Sequence, residues 1–178
     1  MNFGQSGTYL NYNDCYNSAR NLLPQGSIMK NDKQERHPGI PPANVVLYTF
    51  IAGVITTAIH YLHNFNYPEH YPPVYPFFPN ALSYQIGIAV FFPICTILGI
   101  HGVIQYCKGN FRRAFWPLMY WVPLGLTSPG HFLGGVPDIP AYAMFTITTD
   151  FATALMILVF MLQMRANLDH KNSNTPSA

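Results

Sequence analysis

Hydrophobic and polar positions are distributed unevenly along this chain. The first 44 residues are polar and show no sustained period, whereas from Val45 onward apolar residues gather in runs too long for the strands or core helices of a small soluble domain. Four runs stand out, at 45–62, 82–107, 114–133 and 141–164. At about 1.5 Å of rise per residue each can cross about 30 Å of hydrocarbon, the first with little to spare. The pattern predicts an all-α membrane protein. It is a four-helix transmembrane bundle with an irregular N-terminal tail at 1–44 and a short polar tail at 165–178.

Proline modifies this picture in the third run. Pro117 falls in its first turn, where proline is tolerated, but Pro123 and Pro129 fall inside and each removes a backbone hydrogen bond. The third helix is therefore expected to be kinked or broken, with neighbouring helices covering the freed carbonyls. The first outer loop, from Tyr67 to Pro79, alternates prolines with aromatics, which predicts a stiff segment lying flat in the headgroup layer as a lid or collar. No apolar stretch follows closely on Met1, so no cleaved signal peptide is expected and the first run serves as an uncleaved signal-anchor.

Charge then supplies an orientation. Only 9% of residues are Asp, Glu, Lys or Arg, against roughly a quarter in soluble proteins, and the deficit lies in the apolar runs. The cations occupy three places: Arg20, Lys30, Lys33 and Arg36 before the first run; Lys108, Arg112 and Arg113 between the second and third; Arg165 and Lys171 after the fourth. The other two loops hold none. Under the positive-inside rule this predicts both termini in the cytoplasm. A net charge of +2, with no basic cluster interleaved with aromatics, excludes nucleic acid as a partner. Cys15, Cys95 and Cys107 show no CxxC spacing and are read as unpaired thiols.

Ionisable residues inside a span are expensive, which makes them the default place to look for function. Here they are His60, His63, His101, His131 and Asp150. The predicted threading puts His60 roughly 6 Å below the outer boundary, His63 close to it, and Asp150 roughly 13 Å deep, while His101 falls at the inner end. Thr49, Gly53, Thr56, His60 and His63 share one stripe of the first helix, and Thr146, Thr149, Asp150 and Thr153 share a face of the fourth. Lipid cannot satisfy such stripes, so the first and fourth helices are expected to meet.

His60 and His63, with His131 as a third ligand, form a candidate set for one transition metal ion, zinc, copper or iron, with a coordination position left open. Asp150 lies deeper. It is better placed as a buried polar partner, accepting a ring N–H from His60, than as a ligand to the same ion. The chain has neither the clustered histidine boxes of di-iron membrane desaturases and hydroxylases nor a lysine within a run to hold retinal. The first functional reading is a multi-pass protein that binds a lipid or small apolar molecule, or serves as an accessory subunit beside other membrane subunits. The second is a metal-dependent membrane enzyme or redox protein with its histidine site at the outer side. Proton-coupled transport through Asp150 lacks a second carboxylate within the runs to continue a relay.

Overall fold

The structure, a computed structural model, describes residues 39–71, 80–133 and 135–173. The predicted irregular tail over 1–38, the part of the aromatic loop at 72–79 and the chain end at 174–178 lie outside the described residues. The regular structure within them is helical: α1 (Ala43–Asn66), a short 3-10 helix (Pro68–His70), α2 (Ala81–Cys107), α3 (Phe111–Leu126), a second 3-10 helix (Ser128–Phe132) and α4 (Ala141–Ser173). Among the described residues, three helices, α1, α2 and α4, are long and apolar enough to cross a membrane, and the predicted third span, as α3, is not.

Local chemistry explains the helix ends. At the start of α2, Asn80 accepts from the Ser83 backbone N–H at 2.8 Å while the Ser83 hydroxyl accepts from the Asn80 N–H, a reciprocal cap. Gly109 ends the same helix at φ 74, a conformation that favours glycine, and the Gly109 and Asn110 amides bond back to Tyr106 and Gln105. The chain thus turns within three residues into α3. Before α1, the Pro42 carbonyl accepts from the Val45 and Val46 amides.

Several boundaries depart from the predicted ones. The run at 114–133 is α-helical only to Leu126 and continues as a 3-10 helix that has Pro129 near its start, where the missing N–H is not needed. With 16 residues, α3 is about 24 Å long. It begins at Phe111, so Pro117 lies inside the helix and not in its first turn. α1 continues beyond 62 to Asn66, which places His63 and Asn64 on the helix. α4 runs past 164 to Ser173, so most of the predicted C-terminal tail is helical. An exposed Arg165–Asp169 pair at 3.8 Å spans one turn of that extension and contributes little.

Each helix packs on the next, and α4 closes back onto α1. The first and fourth helices meet as their polar stripes require. The core holds Val46, Phe50, Tyr106, Leu118, Trp121, Ile157 and Met161. Glycines set the closest approaches: a Cβ on Gly53 would lie 2.4 Å from the Trp121 ring, and one on Gly102 2.9 Å from the Leu118 backbone nitrogen. Outward, Ile51, Ile55, Ile59 and Leu62 of α1 and Ile86, Val90, Ile94 and Ile97 of α2 are exposed. Aliphatic side chains face out, while Thr57, His60, Asn64 and Asp150 are wholly buried. This inverts the usual soluble pattern.

Candidate functional site

Asp150 lies at 0% exposure on α4 and is the anchor of the buried polar cluster. Its carboxylate accepts from three elements: the Thr57 hydroxyl of α1, the Ser128 hydroxyl of the second 3-10 helix at 2.7 Å, and His60 Nδ1 of α1 at 3.2 Å. A buried carboxylate requires this many partners. Gly125 makes the arrangement sterically feasible, since a Cβ there would lie 2.6 Å from the Asp150 carbonyl oxygen and 2.9 Å from Oδ1. α3 therefore reaches α4 backbone to backbone at the level of the carboxylate.

Steps of three and four residues align Thr57, His60 and Asn64 on the inner face of α1. Thr56, which the sequence placed on that stripe, instead donates to the Ala52 and Gly53 carbonyls of its own helix. Above His60 sits the Asn64 amide. Its Nδ2 lies 3.1 Å from His60 Nε2, 3.2 Å from His131 Nε2 and 2.7 Å from the Tyr84 hydroxyl of α2. The His60 and His131 rings meet edge to face, with centroids 5.1 Å apart.

His63 meets the cluster through Tyr71, whose ring lies 4.7 Å from the His131 ring and 6.2 Å from the His60 ring. It is offset by about 60° around the helix axis from His60, and its Nδ1 accepts from the Tyr71 hydroxyl at 2.7 Å. Burial, then the nearby Tyr142 phenol, raises the Tyr71 pKa and keeps that hydroxyl a donor. Tyr67, His70, Tyr71 and Tyr142 surround the His63 ring, and His70 Nδ1 donates to the Asp138 carbonyl, tying the connection after α1 to the one before α4. Of the three histidines in the predicted metal set, the structure places His60 on Asp150, His131 against His60 and Asn64, and His63 on the far side of Tyr71. Among the described residues, no group of three His, Cys, Asp or Glu side chains is placed to hold a metal ion.

Four members of the cluster, Thr57, Asn64, Tyr84 and Ser128, are not among the residues that the sequence points to. Asn64 is four residues after His60 and continues the inner stripe, so it becomes legible once α1 is extended past 62. Ser128 follows the end of α3, where no periodicity points to it. That helix end is also well satisfied: the Tyr61 hydroxyl donates to the Leu124 carbonyl at 2.8 Å, and the Thr127 amide and hydroxyl both donate to the Pro123 carbonyl. Two polar atoms of the cluster remain without a hydrogen-bond partner, Asn64 Oδ1 and His131 Nδ1. Both side chains are at least 95% buried, at 0% and 5% exposure.

Compared with the models of known families, with curated proteins and with solved structures, the chain shows no significant match.

Proposed function

We propose that the chain is a multi-pass membrane protein with both ends on the cytoplasmic side. In this reading its outer-half cluster binds a lipid or small apolar molecule by its polar end, the protein acting as a binding protein or as an accessory subunit of a membrane complex. Support for the membrane comes from three long apolar helices, outward-facing aliphatic stripes and cations confined to alternate connections. One observation carries the binding reading: Asn64 Oδ1 and His131 Nδ1 are buried and without a hydrogen-bond partner. A buried polar atom left unmatched costs about 1–3 kcal/mol, which a bound group supplying the missing bond recovers.

A second reading keeps one specific observation in its favour. The Nε2 atoms of His60 and His131 converge on a single atom, Asn64 Nδ2, at 3.1 and 3.2 Å. A zinc, copper or iron ion displacing that amide would gain two imidazole ligands, one fewer than the three-histidine set.

One preparation tests both. Protein purified from membranes in mild detergent is weighed by native mass spectrometry and analysed for metals. The first reading expects a small molecule at near one equivalent that is lost from Asn64→Leu and His131→Phe. It falls if the unaltered protein carries nothing beyond bulk lipid. A stoichiometric transition metal that vanishes with His131→Phe selects the second.

A further inference from the structure

The outward surface of α3 differs from that of the helices before it. α1 and α2 turn mainly isoleucine, leucine and valine outward and carry no Lys or Arg within their length. On α3 the exposed residues are Arg112, Arg113, Trp116, Tyr120 and Pro123. With each residue turning the helix by about 100°, these five fall within one arc of about 100°. They form a single strip, and Leu118 and Trp121 lie buried on the opposite side.

The strip is charged at one end and aromatic above it. Arg112 and Arg113 stand in the first turn of α3, with the exposed Lys108 in the turn just before them. Trp116 follows Arg112 by about 6 Å along the axis, and Tyr120 by about 12 Å. Arg165 of α4 reaches the same end of the bundle, its guanidinium 5.3 Å from the centre of the Phe115 ring, but it is paired with Asp169 at 3.8 Å. Among the described residues no carboxylate lies within ion-pair distance of Lys108, Arg112 or Arg113.

Three cations without a counter-charge at the foot of an aromatic strip complement a molecule with an anionic head and an apolar chain. Resting on the membrane reading above but not on the buried cluster, we propose that this strip binds one anionic phospholipid of the leaflet that holds the α2–α3 turn. Its phosphate meets Arg112, Arg113 and Lys108, and an acyl chain runs along Trp116 and Tyr120. Guanidinium groups pair with phosphate through parallel N–H donors. A choline phospholipid brings its own cation to the same place and forfeits most of the charge gain. A soluble acidic partner would meet the cations and leave the aromatic part of the strip unused.

Trp116 reports on the site directly, being 60% exposed, whereas Trp121, the second of the chain's two tryptophans, is wholly buried. The full chain is reconstituted in phosphatidylcholine vesicles and its embedding is checked by flotation. Tryptophan emission is then followed as acyl-brominated phosphatidylglycerol or acyl-brominated phosphatidylcholine replaces the plain lipid, with Trp116→Phe giving the Trp121 background. Half-maximal quenching is expected at about tenfold lower mole fraction of the brominated phosphatidylglycerol. The double variant Arg112→Gln, Arg113→Gln is expected to bring the two lipids within about twofold, and Arg112→Lys, Arg113→Lys to keep most of the preference. Equal quenching in the unaltered protein, or a preference that survives the Gln variant, overturns the proposal and leaves the membrane reading in place. Embedded protein whose Trp116 neither lipid quenches also overturns it, because another protein or a second copy then covers the strip. Protein that does not float with the vesicles removes the membrane reading itself.

Discussion

At the scale of single residues, the chemistry concentrates on one carboxylate. Asp150 receives donors from Thr57, Ser128 and His60 while fully buried, so each of those donors depends on it. Removing the acceptor leaves three polar groups unmatched in a medium that offers no water. Asp150→Ala is expected to lower unfolding stability by about 3–5 kcal/mol. Asp150→Asn, which keeps one carbonyl acceptor, is expected to lose about 1–3 kcal/mol. Thermal or denaturant unfolding of purified protein in detergent measures both, and equal stability of all three proteins would show that the carboxylate anchors nothing. The pairing of Asp150 with His60 follows from two readings together, their depths in the first and fourth runs and the polar stripe each shares. Asn64 is less legible, because the apolar run ends at 62, although hydrogen bonding carries the helix on to Asn66.

At the scale of the helices, glycine decides how near the elements come. Gly125 lets α3 lie against α4 at the carboxylate, where even a methyl group would meet the Asp150 carbonyl and the Ala154 Cβ, each at 2.6 Å. Neither neighbour is the end of a flexible side chain. Gly125→Ala is therefore expected to destabilise by about 1–3 kcal/mol through forced separation of the two helices. Gly130, where an added Cβ meets nothing within 4 Å, is the control: Gly130→Ala should leave the unfolding midpoint nearly unchanged. If the two variants behave alike, the close approach at Gly125 is not what holds the site together. Helix identity was readable from apolar runs, since a run of that length has few other conformations open to it. The break after Leu126 is readable from Pro123 and Pro129 only in kind, and its form as a 3-10 helix carrying Ser128 and His131 depends on the hydroxyls of Tyr61 and Thr127 that donate to the freed carbonyls.

At the scale of the whole molecule, the threading is the proposal that most directly invites measurement. Single cysteines introduced into a background lacking Cys15, Cys95 and Cys107 report which side each connection faces. Positions 110 and 172 are expected to react with a membrane-impermeant maleimide only from the cytoplasmic side, and positions 69 and 138 only from the other. Reaction of 110 and 138 from the same side would remove the outer-half location of the cluster. The existence and order of the helices, and the gathering of His60, His63, His131 and Asp150 toward one end of them, are legible in the apolar runs, although the third run yields a helix shorter than a span. Long apolar runs and the depth of a residue within them are local quantities, additive along the chain. Only the tertiary structure decided that Thr57 and not Thr56 reaches Asp150, that Asn64 stands between two imidazoles, and that His63 turns to Tyr71. Each residue rotates the helix face by about 100°. A hydrogen bond tolerates only a few tenths of an ångström, so which neighbour a side chain meets is set by how the helices are rotated against one another.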